Sequence, residues 1–95
     1  MTLNRYHPDI VSPPGDTLRD TLEALGLEEA QAARLLRLTR RTLGAILDGR
    51  APITEEIAGR LAALTGTSAQ FWINRQAHYD AWQANEAEEE EREEE

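Results

Sequence analysis

The stretch EAQAARLLRLTRRTLGAILD, residues 29–48, decides the fold. Two short stretches with helical apolar spacing, Glu29 to Leu36 and Arg40 to Asp48, flank Arg37-Leu38-Thr39. Thr39 stands where a hydroxyl can accept a hydrogen bond from a backbone N–H that the first helical turn leaves free. In the second stretch Leu43, Ile46 and Leu47 fall on one face, and in the first the small Ala33 lets a neighbouring helix cross closely. The spacing predicts helix, tight turn, helix.

The same punctuation continues outward. Gly26, Gly49 and Gly66 each follow an apolar periodic run and suit the left-handed position just past a helix end. Before Gly26, Asp16 is a candidate cap, and Leu18, Leu22 and Leu25 predict a first helix over Thr17 to Leu25. After Gly49, the loop Arg50-Ala51-Pro52-Ile53 leads to a second hydroxyl cap, Thr54. Glu55 and Glu56 follow in the first turn, where the helix dipole favours acids. Ile57, Leu61 and Leu64 give the fourth helix its buried stripe. Ser68, or Thr67 with Gln70 as a capping box, opens a fifth helix expected at Ala69 to Ala84. No run alternates apolar and polar β-branched residues, so the expected class is all-α.

Composition divides the chain. Residues 1–15, with His7-Pro8 and Ser12-Pro13-Pro14-Gly15, read as an extended arm, because proline disfavours the helical region for the residue before it. Residues 16–85 read as the helical domain. Residues 86–95 carry eight Glu and one Arg, −7 of the total charge of −8, and read as a disordered acidic tail. All ten basic residues are Arg. Five of them, Arg34, Arg37, Arg40, Arg41 and Arg50, fall within seventeen residues whose only acid is Asp48. A nearly neutral body therefore carries one basic patch.

That patch lies on the helix-turn-helix. With Leu43, Ile46 and Leu47 turned inward, Arg41 and Ala45 point outward, flanked by Gly44 and Asp48, with Arg40 at the N-terminal edge. Such a helix suits the DNA major groove, where Arg can bond a guanine edge through two hydrogen bonds. Arg41 is the candidate for base reading. Thr39, Arg40 and Arg50 sit at the ends of the element and suit phosphate, while Gly44 and Ala45 permit close approach and contact with a thymine methyl. Arginines on a helix face are often only solvated; their clustering on this frame favours DNA.

Leu27 to Thr54, above all Thr42-Leu43-Gly44-Ala45-Ile46-Leu47-Asp48-Gly49-Arg50-Ala51-Pro52-Ile53-Thr54, resembles the Cro/repressor-type (XRE family) helix-turn-helix of HigA-type antitoxins. His7-Pro8 and Pro14-Gly15-Asp16-Thr17-Leu18 resemble that family's approach to its first helix. Phe71-Trp72-Ile73-Asn74 with Tyr79 resembles its Phe-Trp-Leu-Asn motif. The resemblance covers about residues 7–83. It implies a five-helix Cro/lambda-repressor-like domain and a dimeric repressor of a palindromic double-stranded operator. In HigBA-type toxin-antitoxin operons it also implies a protein that neutralises a basic RelE/HigB-like ribonuclease toxin. At four positions the chain departs from the family. Arg37 replaces the Gly of the turn and sets a further charge beside the duplex, and Gly44 replaces a more usual Ser. Glu28-Glu29 stand where Ser-Gln usually touches phosphate. Acids suit a helix N-terminus, but facing phosphate they repel it, which gives a second reading: an interaction module with weakened DNA binding.

Ser12-Pro13-Pro14-Gly15-Asp16 also resembles the form of this domain found fused to a zinc peptidase, but the chain has no His-Glu-x-x-His, and its only histidines are His7 and His78. Without Cys there is neither a disulfide frame nor a thiolate metal site. No nucleophile–base pair, metal cluster or phosphate loop is legible, so no enzyme and no cofactor is expected. No apolar run approaches a membrane span and no signal peptide is seen; the expected address is the cytoplasm. Trp72, Arg75, Tyr79 and Trp82 share a stripe on the last helix, and both Trp residues of the chain lie there, which predicts either burial within one chain or a homodimer seam through this helix. The Glu-rich tail reads as a solubility device that needs no partner, as a holder of a basic partner such as the toxin, or as a competitor with DNA for the Arg patch of its own dimer.

Overall fold

The structure, a computed structural model, describes residues 12–93, with side chains described as far as Glu88. Five helices follow one another: α1 (Pro14–Ala24), α2 (Glu29–Leu36), α3 (Arg40–Leu47), α4 (Glu55–Thr65) and α5 (Ala69–Glu93). Among the described residues there is no strand, and the expected five-helix all-α architecture is observed. The first eleven residues of the arm lie outside the described residues.

Local chemistry accounts for most helix ends. The Thr39 hydroxyl accepts from the Thr42 N–H at 3.0 Å, Thr54 from Ile57 at 3.3 Å and Ser68 from Phe71 at 3.1 Å. Of the two alternatives for the start of α5, Ser68 is therefore the cap. Thr67 is used differently: its hydroxyl accepts the Trp72 indole N–H at 2.8 Å. At the C-terminal ends Gly26, Gly49 and Gly66 have φ of 74°, 80° and 83°. Arg37 is the one non-glycine residue with positive φ among the described residues, at 59°.

α1 starts earlier than its pattern predicts. Pro14 and Gly15, assigned to the arm, open the helix, and Asp16 lies in its first turn rather than capping it. Proline fits the first helical position because its missing N–H would have no partner there, and Pro13 enters extended, at φ −63° and ψ 151°. α5 extends past Ala84, where the sequence reading ended it, through the acidic segment to Glu93; Ala and Glu are both good helix formers.

The core gathers one face of every helix. Leu18 and Leu22 from α1, Leu36 from α2, Leu43 and Ile46 from α3, Leu61 from α4 and Trp72 from α5 are all buried. Ala33 is buried in the core. Leu25, expected on the inner stripe of α1, is 46% exposed, because the helix ends at Ala24.

Candidate nucleic-acid interface

The inward face of α3 is sealed, and its outward face is basic. Leu43, Ile46 and Leu47 are no more than 2% exposed, Gly44 and Ala45 are half-buried, and Arg40 and Arg41 are exposed in the first turn. Among the described residues neither arginine has a carboxylate within salt-bridge distance, nor do Arg34 and Arg37. Two full positive charges thus stand at the helix start. Thr39 lies beside them, but its oxygen caps Thr42 and its proton is donated to the Thr42 hydroxyl at 2.9 Å. In this arrangement the Thr39 hydroxyl starts the helix.

The turn before α3 is held by a residue that the sequence reading missed. Arg37 ends α2 in the left-handed region, at φ 59° and ψ 40°. From α4, Arg60 Nη1 donates to the carbonyls of Leu36 at 3.1 Å and Arg37 at 3.3 Å, while Nη2 donates to Glu56 at 2.6 Å. The last carbonyls of a helix have no partners within it and carry the negative end of its dipole, so the guanidinium satisfies both needs. The i,i+4 spacing of Glu56 and Arg60 is visible in sequence. Their reach back to Leu36 is not.

Past α3, Arg50 is exposed but paired. Its Nη2 is 3.3 Å from Asp48 Oδ2, and the other Asp48 oxygen is 3.4 Å from Arg19, which also lies 3.8 Å from Glu29. Exposed pairs of this kind contribute ~0–1 kcal/mol, so a phosphate can replace Asp48 at little cost. Glu28 and Glu29 are engaged in the fold: the Glu28 N–H is held by Gln31 Oε1 at 3.0 Å, and Glu29 faces Arg19.

On α5 the four stripe residues separate. Trp72 is fully buried within its own chain, so it cannot form part of a seam between chains. One small core does hide this indole, because Thr67 takes its N–H and the Phe71 ring meets it edge-on at 5.0 Å. Arg75 is half-buried and donates from Nη2 to the Thr17 hydroxyl at 2.5 Å, tying α5 to α1. Tyr79 and Trp82 are half-buried and stack at 6.0 Å. Further along the surface His78 is exposed, and among the described residues no three His, Cys, Asp or Glu side chains are grouped to hold a metal. No helix among them is long and apolar enough to cross a membrane.

Two short helices joined by a tight turn, with a sealed inner face and a basic outer edge, define a helix-turn-helix domain. A family model described as helix-turn-helix matches residues 18–72, and the chain belongs to that family. It is 35% identical over 75 residues to YddM, an HTH-type transcriptional regulator of Escherichia coli, a match that takes in 79% of this chain and 77% of YddM. Of the other curated relatives it spans 63–65% of the length. Its fold is similar to that of an addiction module antidote protein of a HigA family from Coxiella burnetii, with a TM-score of 0.79, 34% identity, and 88% and 92% of the two chains covered. It is also similar to the Pseudomonas aeruginosa antitoxin HigA determined with the higBA promoter, with a TM-score of 0.80, 33% identity, and 90% and 95% covered. The expected resemblance to HigA-type proteins is borne out, as is the reading of a regulator rather than an enzyme.

Proposed function

We propose that this protein is a transcriptional repressor that binds a palindromic double-stranded operator through α3 as a homodimer. We further propose that it is the antitoxin of a HigBA-type module, neutralising a basic RelE-like ribonuclease. The observation that carries the DNA reading is the unneutralised pair Arg40 and Arg41 on the exposed start of a helix whose opposite face is buried. Arg41 reads a base, Arg37, Arg40 and Arg50 meet phosphate, and the half-buried Gly44 and Ala45 let the helix lie close to the groove floor. Support also comes from the HigA of P. aeruginosa, whose structure includes its promoter.

Titration of a duplex spanning the protein's own promoter, over a range of salt, tests this reading. Arg41→Ala should weaken binding by ~1–3 kcal/mol and relax preference at one base pair per half-site. Arg50→Ala should weaken all duplexes alike and flatten the salt slope by about one. Equal losses on operator and random duplex for Arg41→Ala would refute the base-reading role. No salt-dependent binding by the wild type would leave an interaction module instead.

The dimer rests on Tyr79 and Trp82, whose stacked rings remain half-exposed on a helix that the other four cannot cover. Trp82→Glu should sediment as a monomer at micromolar concentration with its helical content intact. A wild-type monomer under the same conditions would remove the seam. The eight glutamates of residues 86–95 suit a basic toxin, and that partner should be retained by the full chain and lost on deleting 86–95.

A further inference from the structure

The loop that carries Arg50 is fixed at one end by α3 and at the other by α5. Asp48 N donates to Gly44 O at 2.9 Å and Gly49 N to Ile46 O at 3.1 Å. Arg50 N and Ala51 N both reach Ala45 O, at 2.8 and 3.1 Å. Pro52 has no N–H and cannot continue the series. The next donor is Ile53, 4% exposed, and its N–H is taken by Gln76 Oε1 at 2.8 Å, from 23 residues further along the chain. Gln76 Nε2 in turn donates to Asp80 Oδ1 at 2.9 Å. A carboxylate only accepts and a backbone N–H only donates, so the two partners together settle which way the Gln76 amide faces.

We infer that Gln76 is a positioning residue of the DNA-binding surface: held by Asp80, it fixes the Pro52–Ile53 peptide and thereby the direction in which the loop presents Arg50. This inference rests on the proposal that Arg50 contacts DNA. A cleft of about 160 Å³ separates the loop from α5 and is lined by Gly49, Arg50, Gln76, Tyr79 and Asp80. Packing therefore does not fill the space under Arg50, and the Gln76 bridge spans it. Burial of the Ile53 side chain sets where that residue sits. Its peptide plane is set by the bond from α5, the helix that also carries the half-buried Tyr79 and Trp82.

The test compares Gln76→Leu, Gln76→Glu and the pair Gln76→Glu/Asp80→Asn in the full chain. Three quantities are measured: Ile53 amide exchange by NMR, the melting temperature, and the affinity for own-promoter and random duplexes against salt. Gln76→Leu removes the acceptor, so Ile53 exchange should speed up by about tenfold or more. Both duplexes should bind about three- to tenfold more weakly, with a salt slope shallower by about one. Gln76→Glu keeps an acceptor for the Ile53 N–H but loses the donor to Asp80 and sets two carboxylates together, so Ile53 exchange should rise less than in Gln76→Leu while the affinity for both duplexes falls. The pair restores the chain of bonds, since the introduced carboxylate accepts from Ile53 and the introduced amide donates to it, and both exchange and salt slope should return to wild type. Failure of that rescue, unchanged Ile53 exchange in Gln76→Leu, or a weakened affinity with an unaltered salt slope would each overturn the inference. A wild-type chain that binds neither duplex would overturn the reading of the protein and with it any DNA role for Gln76. Ile53 exchange would then still decide whether Gln76 holds the loop.

Discussion

Trp72→Ala should remove a large share of the protein's stability. The indole is fully buried, its N–H is bonded to Thr67 at 2.8 Å, and Phe71 packs edge-on against it. Truncating a buried Phe or Trp to Ala costs about 3–5 kcal/mol, a large share of the ~5–15 kcal/mol that stabilises a typical domain. At about 4–8 °C per kcal/mol for a domain of this size, the melting temperature should fall by at least ~12 °C. Trp72→Phe separates the two contributions. It keeps most of the apolar volume and gives up the hydrogen bond, and because Thr67 is exposed and its hydroxyl can turn to water, the loss should be well under half as large. Thermal and urea unfolding followed by circular dichroism measure both variants. If Trp72→Ala melts within a few degrees of wild type, Trp72 is not in the core of one chain, and a seam between chains that includes it would have to be reconsidered.

Trp72 also shows where sequence reading stops. Helical spacing places Trp72, Arg75, Tyr79 and Trp82 on one stripe, but spacing cannot say how far along α5 the other helices reach. They reach Trp72 and cover it completely, and they leave Tyr79 and Trp82 half-exposed. Features decided within a few residues were legible: the hydroxyl caps Thr39 and Thr54, the left-handed glycines, and the inward face of Leu43, Ile46 and Leu47. Features decided across the chain were not. Arg60 closes the turn 24 residues before it, and Gln76 holds a loop 23 residues before it. Each is a polar side chain on a helix that, read alone, has no reason to face inward.

The basic patch was legible as composition, but its neutralisation was not. Asp48 is the one acid among the clustered arginines in sequence, and in the fold it takes Arg50 and also Arg19 from α1. What remains uncompensated is narrower than the cluster and lies toward the start of α3 and the turn before it. Arg40 and Arg41 keep their charges uncompensated at the start of α3, and under the proposed DNA reading Arg50 would exchange a carboxylate for a phosphate.

Gly15→Ala and Gly44→Ala should move stability in opposite directions, although both exchange a helical glycine for the best helix former. Propensity alone favours each by up to ~1 kcal/mol. At Gly44 nothing lies within 4 Å of an added methyl group and φ is not positive, so the gain should be realised and the melting temperature should rise by a few degrees. At Gly15, in the first turn of α1, the methyl would stand 2.5 Å from the Leu47 carbonyl oxygen, 2.8 Å from its carbon, and also against the Ile46 carbonyl. These are backbone atoms at the end of α3 and cannot rotate away. Relief requires α1 to move off α3, which loosens the core that Leu18 shares with Leu43, Ile46 and Leu47. Overpacking of this kind typically costs ~1–3 kcal/mol, and where the obstacle is backbone the upper end applies, which exceeds the propensity gain. Gly15→Ala should therefore melt ~10–20 °C below wild type, given ~4–8 °C per kcal/mol. Its binding to the own-promoter duplex should weaken as well, because the end of α3 leads directly into the Arg50 loop. A Gly15→Ala protein as stable as wild type would mean that α1 does not cross α3 at Gly15, and that the early start of α1 at Pro14 is wrong.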